Sequence, residues 1–337
     1  MKKKFPIYLL SGLLIFSCTK DKDYSNEAPV VDFYYTDQID HFELKSTATD
    51  PDDDPLSYEW SSTSELITIQ NANSRSATFL LPQITESTEI TIDHTVCDGD
   101  KCGTASKTVQ LPEYTEIRKW GLGRDLEAEQ SSNVGYEWYM DQMNTGVHSY
   151  INCGPTSVTM ALKWFDEEFT HTPEDARNTY LASGGWWYTN NIIDYLNLYS
   201  ANNYTIGLND IDFLADELDN GNILILCLDM FQLRSSTVDE WHIDKFYATN
   251  SEGWGHFIVI KGYKIVDGNI LYEAYDPYCF GVTYLDLTLK GKDRYYRSED
   301  LNVATNIWWD YAIVISKSNE KSSKAVDINK IEHNFGR

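Results

Sequence analysis

The sequence predicts two folded domains, an all-β sandwich in residues 28–112 and an α+β domain in residues 113–337. Three observations support this fold class. The chain has 337 residues, which is enough for about two domains. In the first part, short segments rich in β-branched and aromatic residues alternate with turn clusters. In the second part, helix-type segments come first and strand-type segments follow.

Five strands are predicted in the first domain, each bounded by turn-forming residues. They span residues 42–49, 56–62, 76–81, 88–97 and 105–111. In the second of them, Leu56, Tyr58 and Trp60 share one face, because side chains along a strand point alternately to its two faces. This spacing of strands and turns is typical of an antiparallel sandwich.

The turn and strand at residues 49–60 read TDPDDDPLSYEW. This segment resembles the signature of the polycystic-kidney-disease-type repeats, whose immunoglobulin-like domains are spacers or binding modules of extracellular proteins. Its four aspartates could ligate calcium through hard oxygens. A solvated turn is the preferred interpretation, because Asp and Pro favour turns and no glycine-containing calcium loop is present.

Four helices and then four strands are predicted in the second domain. A cap residue, a first-turn proline and first-turn acids mark the second helix at residues 172–175. The helices lie at residues 156–167, from 172 onward, at 190–199 and at 210–219, where Gly221 ends the last one. The strands span residues 222–228, 256–265, 269–275 and 306–316.

The first 17 residues predict a secretory signal peptide, since three lysines precede an apolar segment that is too short to span a bilayer. Residues 14–18, LIFSC, resemble a bacterial lipobox, which implies a lipid on Cys18 and a tether over residues 18–27. The acidic residues after Cys18 resemble the surface-export signals of Bacteroidetes lipoproteins. The resemblance implies an outer-membrane anchor in the cell envelope, with surface exposure left open. Ordinary secretion with a spare cysteine is the alternative.

The charge and the motifs exclude several functions. Net charge is −25, from 27 basic and 52 acidic residues, whereas nucleic-acid binding needs a basic face. The same balance argues against a basic membrane-surface patch. The sequence contains no HExxH motif, no paired CxxC and no complete dinucleotide-binding glycine motif, so we expect no metal and no cofactor.

The remaining cysteines are predicted to differ in role. Cys97 and Cys102 flank a turn-rich loop and could close a small disulfide in an oxidising compartment. Cys227 lies in an apolar run and is expected to be a buried, inert thiol. For Cys279, three residues after Asp276, pairing, packing and a place in the site all stay open.

Cys153 is the candidate nucleophile. It is followed directly by helix-forming sequence, and a helix N-terminus favours the thiolate, which is the reactive form of cysteine. Gly154 leaves room beside the sulfur, and Pro155 suits a first helical turn. A buried structural cysteine at a helix start is the alternative.

His256 is the candidate base, because it opens a predicted strand and follows Gly255, which permits close approach. His148 competes for this role but lies in a less constrained polar segment. Asp276, which follows the next strand, would orient the imidazole and stabilise its charge. The alternative for Asp276 is a strand-end turn with Pro277.

The predicted hairpin places a condition on Asp276. A regular hairpin around Asp267 and Gly268 would set His256 opposite Cys279 and leave Asp276 on the wrong face. One β-bulge in the first strand would instead bring Asp276 to a diagonal position on the same face as His256. We therefore predict a bulge or kink at residues 261–263, with Gly262 as its natural site.

Acyl transfer also needs donors for the oxyanion. The backbone N–H of Cys153 is one candidate. Gln142 is the preferred side-chain donor, and Asn144 and Asn152 compete with it.

Cys153, His256 and Asp276, each with its neighbouring residues, resemble the motifs of papain-clan cysteine peptidases of the bacteriocin-processing, double-glycine-leader type. The resemblance covers most of residues 139–316. It implies a papain-like fold, with Cys153 as nucleophile, His256 as base, Asp276 as its orienting group and Gln142 in the oxyanion hole. No transporter domain follows, so leader processing coupled to export is not expected. The long aromatic insertion at 229–254 is a candidate lid or specificity loop.

The predicted function is therefore a lipid-anchored cysteine peptidase whose partner is a peptide or protein substrate. A transglutaminase-type acyltransferase would use the same three residues but transfer the acyl group to an amine. A non-catalytic surface binding protein is the third possibility, although a binding module has no need of these three residues together. The sequence does not determine the oligomeric state.

Overall fold

The structure, a computed structural model, describes residues 25–319 and 321–327, except for the side chain of Trp308. The predicted signal peptide and Cys18 lie outside the described residues. The chain divides into two compact units. The first contains Glu43–Phe79, Glu89–Val109 and the described residues up to Thr36, and the second contains Asp37–Phe42, Leu80–Thr88 and the described residues from Gln110 onward.

Six N-terminal strands form two three-stranded sheets. They are β1 (Phe33–Asp37), β2 (His41–Ser46), β3 (Ser57–Ser62), β4 (Ser76–Leu80), β5 (Thr88–Cys97) and β6 (Cys102–Leu111). One sheet has the order β1-β2-β4 and the other β3-β5-β6. The five predicted strands are confirmed, with shifts at their ends, and β1 was not predicted.

Side chains from the two sheets meet in a common core. Trp60 on β3 stacks on His94 of β5 at 3.6 Å and meets the edge of Phe33 on β1 at 5.1 Å. The ring of His94 also hydrogen-bonds Ser46 Oγ on β2 at 2.8 Å. These contacts join residues of both sheets, which is the arrangement of a β-sandwich. Trp60 is buried and Tyr58 half-buried, as their shared face predicts.

The turns of this unit follow their predicted chemistry. Cys97 and Cys102 form a disulfide across the β5–β6 turn, which confirms that prediction. In the aspartate loop, Asp50 Oδ1 accepts hydrogen bonds from the backbone N–H groups of Asp52 and Asp54. Side-chain capping of this kind stabilises a turn.

The second unit is built on an eight-stranded sheet. Its strands are β7 (Leu126–Ser131), β8 (Asn203–Gly207), β9 (Ile223–Asp229), β10 (Gly255–Val266), β11 (Asn269–Tyr275), β12 (Arg294–Arg297), β13 (Tyr311–Ile315) and β14 (Ala325–Val326). The sheet order is β12-β11-β10-β9-β13-β8-β14, and β7 pairs with β10 beyond the end of β9. Buried side chains on both faces of β9, β10 and β13 place the core on both sides of this sheet.

Six helices accompany these strands. They are α1 (Glu116–Lys119), α2 (Cys153–Phe165), α3 (Pro173–Thr179), α4 (Thr189–Leu198), α5 (Phe213–Asp219) and α6 (Ser298–Trp308). Two 3₁₀ turns lie at Ser149–Ile151 and Met230–Gln232. The predicted start of the second helix is confirmed: Thr172 and Asp175 form a capping box, and Pro173 follows the cap. In the described part of the chain, no helix is long and apolar enough to cross a membrane.

Two parts of the predicted element order are wrong. The segment 306–316 was expected to be one strand, but its first three residues belong to helix α6, which ends at Trp308, and the strand begins at Tyr311. The order of helices first and strands after also fails, because β7 precedes α2, β8 lies between α4 and α5, and α6 follows β12. Strand β7, LEAEQS, has no alternating apolar pattern, so backbone pairing with β10 decides its conformation.

Candidate active site

Cys153 is the first residue of helix α2. Eleven of the thirteen residues of α2 are buried, and Ser157 Oγ donates a hydrogen bond to Phe257 O of β10 at 3.1 Å. At Gly154, a Cβ would come within 2.9 Å of Trp187 Cβ, so only glycine allows this approach. The room that Gly154 leaves is therefore filled by an aromatic segment, residues 186–188, that passes beside the nucleophile.

His256 is the second residue of strand β10, directly beside this helix start. The predicted bulge is present: Ile260 pairs with Ala274, but Gly262 pairs with Glu273, so that the backbone of Lys261 is skipped in the pairing with β11. Gly262 is required here because a Cβ would lie 2.5 Å from Gln130 O. On the N-terminal side of the bulge, Val259 pairs with Tyr275, the last residue of β11. This pairing brings His256 close to Asp276, which directly follows β11.

Asp276 is fully buried and accepts four hydrogen bonds. His256 Nε2 lies 2.7 Å from Oδ1, and the Tyr278 N–H donates to the same oxygen at 2.9 Å. The hydroxyls of Tyr296 and Tyr247 donate to Oδ2 at 2.7 and 3.0 Å. A carboxylate with four donors is held in one orientation and in its charged form.

The ionisation of the three groups is coupled. Burial disfavours the Cys153 thiolate, but the hydrogen bond and charge of His256, with the N–H groups of Phe257 and Gly154, outweigh it and lower the pKa of Cys153. Burial would lower the pKa of His256, yet Asp276 and then Cys153 raise it to about 10. The pKa of Asp276 stays below its usual value despite burial, chiefly because of His256. The arrangement favours a thiolate–imidazolium pair at neutral pH.

Gln142 lies in the same cleft. Its side-chain nitrogen donates to Ser149 O at 2.8 Å, while its buried Oε1 has no hydrogen-bond partner among the described residues. An amide nitrogen carries two hydrogens, so the second remains for an incoming oxygen. Asn152 is fully buried and used internally, and Asn144 does not line the cleft pockets described below.

A buried arginine organises the segment before Cys153, and the sequence analysis missed it. Arg177 Nε donates to Asn152 Oδ1 at 2.8 Å, and its other nitrogens donate to Gly185 O and Ile151 O at 2.9 and 3.0 Å. Asn152 in turn donates to Thr145 O at 2.8 Å. Within residues 25–319 and 321–327, Arg177 has no carboxylate partner, and it interacts favourably with the Cys153 thiolate.

Two pockets meet at Cys153 and form one cleft. They share Cys153, Trp186, Gly253 and Gly255. The tryptophan pocket, about 270 Å³, is completed by apolar groups: Ile151, Trp187, Tyr188, Cys227, Phe257 and Trp309. The histidine pocket, about 330 Å³, is completed by polar and aromatic groups: Gln142, Tyr150, Ser251, Trp254, His256 and Tyr278.

The insertion at 229–254 is anchored at its base. Buried Asp229 accepts hydrogen bonds from the N–H groups of Gly253 and Trp254, both at 2.9 Å. Lys245 Nζ donates to Met230 O at 2.8 Å, and Tyr247 holds Asp276. The segment therefore supports the carboxylate as well as lining the cleft through Ser251, Gly253 and Trp254.

The other candidate residues have no role in this chemistry. His148 packs against Gly184 and does not line the cleft pockets. Cys227 is buried beside Cys153, and burial raises the pKa of its thiol well above the usual value. Cys279 is also a free, buried thiol, and its Sγ contacts Val282 O at 3.1 Å. Among the residues that the structure describes, no group of three His, Cys, Asp or Glu side chains could hold a metal ion.

Comparison with known protein families shows which class of protein the C-terminal part of the chain resembles. The C-terminal part of the chain is similar to cysteine peptidases. More narrowly, residues 137–299 match the model of the Peptidase_C39 like family, over a little less than half of the chain. The matched segment includes Gln142, Cys153, His256 and Asp276. No curated protein sequence matches the chain.

Solved structures resemble parts of the chain weakly. A putative C39-like peptidase from Bacillus anthracis is 14% identical, with a TM-score of 0.39, over 58% of this chain and 100% of that one. The PKD1 domain of Vibrio anguillarum Epp is 24% identical, with a TM-score of 0.22, over 26% and 99%.

A nucleoside hydrolase-related hypothetical protein from Saccharophagus degradans, associated with carbohydrate metabolism, is 23% identical, with a TM-score of 0.23. The match covers 26% of each chain, so this chain spans about a quarter of that protein. Nothing about function follows from similarities of this strength.

Proposed function

We propose that this chain is a secreted, lipid-anchored cysteine peptidase of the cell envelope that hydrolyses peptide bonds through a thioester. The observation that carries the proposal is the buried series of Cys153, His256 and Asp276 at the junction of two pockets. A structural cysteine needs neither a lowered pKa nor a charged imidazole beside it. The match to the Peptidase_C39 like family supports the same reaction class.

The first half of the reaction forms a thioester. The Cys153 thiolate attacks the carbonyl carbon of the scissile bond, and the oxyanion meets the N–H groups at the start of α2, which have no partner within the helix. Gln142 would add a side-chain donor. The C–N bond then breaks, and the His256 imidazolium transfers its proton to the leaving amine.

The second half restores the enzyme. Neutral His256 removes a proton from water, the hydroxide attacks the thioester carbonyl, and the C–S bond breaks to release a carboxylic acid. Cys153 leaves as a thiolate and His256 is again protonated. Asp276 keeps its charge throughout and holds the ring through Nε2, which leaves Nδ1 to face the sulfur.

The thiolate–imidazolium pair is tested by labelling the full chain with iodoacetamide from pH 4 to 10 and measuring each cysteine by mass spectrometry. We expect Cys153 to react rapidly below pH 7 and to lose this behaviour in His256→Ala. The matched control is His148→Ala, which should label like the wild type. Labelling of Cys153 at the rate of an ordinary thiol would refute the proposal.

Peptidase activity is tested by incubating a denatured protein mixture with the full chain and with Cys153→Ala. New termini should appear only with the wild type. Adding a primary amine separates hydrolysis from acyl transfer, because transfer yields products that carry the mass of the amine. Labelling of Cys153 as a normal thiol together with no new termini would favour a binding protein.

The lipid anchor is tested separately, because it does not depend on the chemistry of the site. The wild-type chain expressed with its N-terminus should partition into detergent, and Cys18→Ser should stay in the aqueous phase. Equal partitioning of the two proteins would exclude a lipid on Cys18.

A further inference from the structure

The two halves of the cleft differ in chemistry. The tryptophan pocket is lined by apolar and aromatic side chains, with Cys153 at its edge, and apart from the Cys153 thiolate none of its lining residues is charged. The histidine pocket instead contains His256, Gln142 and Ser251. A substrate that lies across Cys153 must therefore place one side of its scissile bond against each kind of surface.

The proton that the leaving amine receives determines which side of the scissile bond lies in which pocket. The leaving amine takes its proton from His256, so it must lie on the side of the sulfur that His256 reaches. His256 lines the histidine pocket and does not line the tryptophan pocket. The amine side consequently occupies the histidine pocket, and the acyl side extends over the tryptophan pocket.

We propose that the tryptophan pocket binds a bulky apolar side chain, such as Phe, Leu or Trp, on the acyl side of the scissile bond. This inference rests on the proposed peptidase function and names its substrate class. The pocket volume of about 270 Å³ accommodates a large side chain. Burial of such a side chain against tryptophan and phenylalanine rings supplies binding energy without any polar partner.

The mouth of the pocket is open to such a ligand. Trp186 is 60% exposed and Tyr188 53% exposed, although both flank the largely buried Trp187. Exposed aromatic side chains around a concave apolar surface are typical of a binding site. They would cover an inserted side chain and remove it from water.

Charged side chains are excluded by the same surroundings. Moving a charge into the pocket costs its hydration, and apart from the Cys153 thiolate, which is already paired with His256, no lining residue offers a counter-ion. Cations face a further barrier, because the guanidinium of Arg177 lies 5.8 Å from the ring centroid of Trp187. Both Asp and Lys should therefore be poor residues at this position.

The test uses the full chain and a randomised peptide mixture, with cleavage products sequenced by mass spectrometry. We expect Phe, Leu, Trp and Met to be enriched at one of the first two positions on the acyl side, and Asp and Lys to be depleted. Matched peptides with Phe or Ala at that position should differ in kcat/KM by roughly 10- to 100-fold. Cleavage with no such enrichment, or with a difference below threefold, would overturn the inference and leave the peptidase function standing.

Pocket variants make the test specific. Ile151→Ala and Tyr188→Ala should each lower the Phe-to-Ala ratio about threefold or more, since each removes part of the apolar wall. The ratio is the readout because a general structural defect slows both peptides alike. Val147→Ala, at a site that is 93% exposed and outside both pockets, should leave the ratio unchanged.

The outcome separates two failures. Labelling of Cys153 that is slow at neutral pH and rises with pH like that of an ordinary thiol, together with no cleavage of any peptide, would refute the peptidase function, and the inference with it. Rapid labelling and cleavage, with a ratio that the two pocket variants leave unchanged, would refute only the placement of the acyl side chain.

Discussion

Replacing Asp276 by Asn tests how far one buried charge controls the nucleophile. Asn is almost the same size, so it keeps the packing around Asp276. Its one oxygen can face His256 Nε2 and the Tyr278 N–H, while its amide donates to the hydroxyls of Tyr296 and Tyr247, which can turn to accept. The substitution therefore removes the charge and leaves the geometry of the site nearly intact.

The expected size of the effect follows from the raised pKa of His256. Its pKa of about 10, against an ordinary 6.5, corresponds to roughly 5 kcal/mol in favour of the imidazolium. Asp276 supplies the largest part of that preference, and burial opposes it. With Asn in place, we expect the pKa of His256 to fall well below its value of about 10 and the pKa of Cys153 to rise, because the positive charge beside the sulfur is weakened.

The assay is the pH dependence of iodoacetamide labelling at Cys153. The wild type should stay reactive at lower pH than an ordinary thiol, since the Cys153 pKa is lowered and the His256 pKa is raised. For Asp276→Asn we expect a rate at pH 7 that is lower by about tenfold or more, with the rise in rate moved to higher pH. Tyr296→Phe is the matched control, because it removes one donor and keeps the charge. If Asp276→Asn reacts like the wild type at pH 7, this electrostatic reasoning is wrong.

Three further predictions concern other parts of the chain. Gln142→Ala should lower kcat about 10²- to 10³-fold if its amide binds the oxyanion, while iodoacetamide labelling, which forms no oxyanion, stays unchanged; equal loss in Asn144→Ala would contradict this. Arg177→Met should destabilise the chain by about 3–5 kcal/mol in denaturant titration, because it leaves Asn152 Oδ1 and the Gly185 and Ile151 carbonyls without their hydrogen-bond donor; a loss below 1 kcal/mol would contradict the role of that network. Burial lowers the pKa of His94, so unfolding takes up a proton and stability should fall as pH drops below 6.5; thermal unfolding at pH 5 and 7.5 should show this, and His94→Leu should reduce the pH dependence, to which His242, whose pKa burial lowers to about 4, also contributes.

The candidate site could be located from sequence because its chain order reflects local structure. Cys153 does open a helix, His256 lies at the start of a strand, and Asp276 follows the next strand. The bulge at residues 260–262 was also predictable, because only that register brings Asp276 to the face of His256. Each of these inferences uses periodicity or turn chemistry within about twenty residues.

Other elements could not be predicted in the same way. Strand β7 carries charged and exposed side chains, and its conformation depends on pairing with β10 more than 120 residues later. Helix α6 contains β-branched and aromatic residues that also suit a strand, which explains the wrong assignment of Asn306 and Ile307. In both cases tertiary packing outweighs a weak local preference.

The sequence by itself determined the reactive residue types, their order along the chain and the local elements that carry them, because helix starts, strands and tight turns follow from short-range sterics and hydrogen bonding. Only the tertiary structure decided their surroundings. Tyr296 and Tyr247 reach Asp276 across 20 and 29 residues, and Arg177 reaches Asn152 across 25. These partners and the two unlike halves of the cleft depend on how the sheet is ordered and how the loops cross it, and such long-range contacts leave no periodic trace in the sequence.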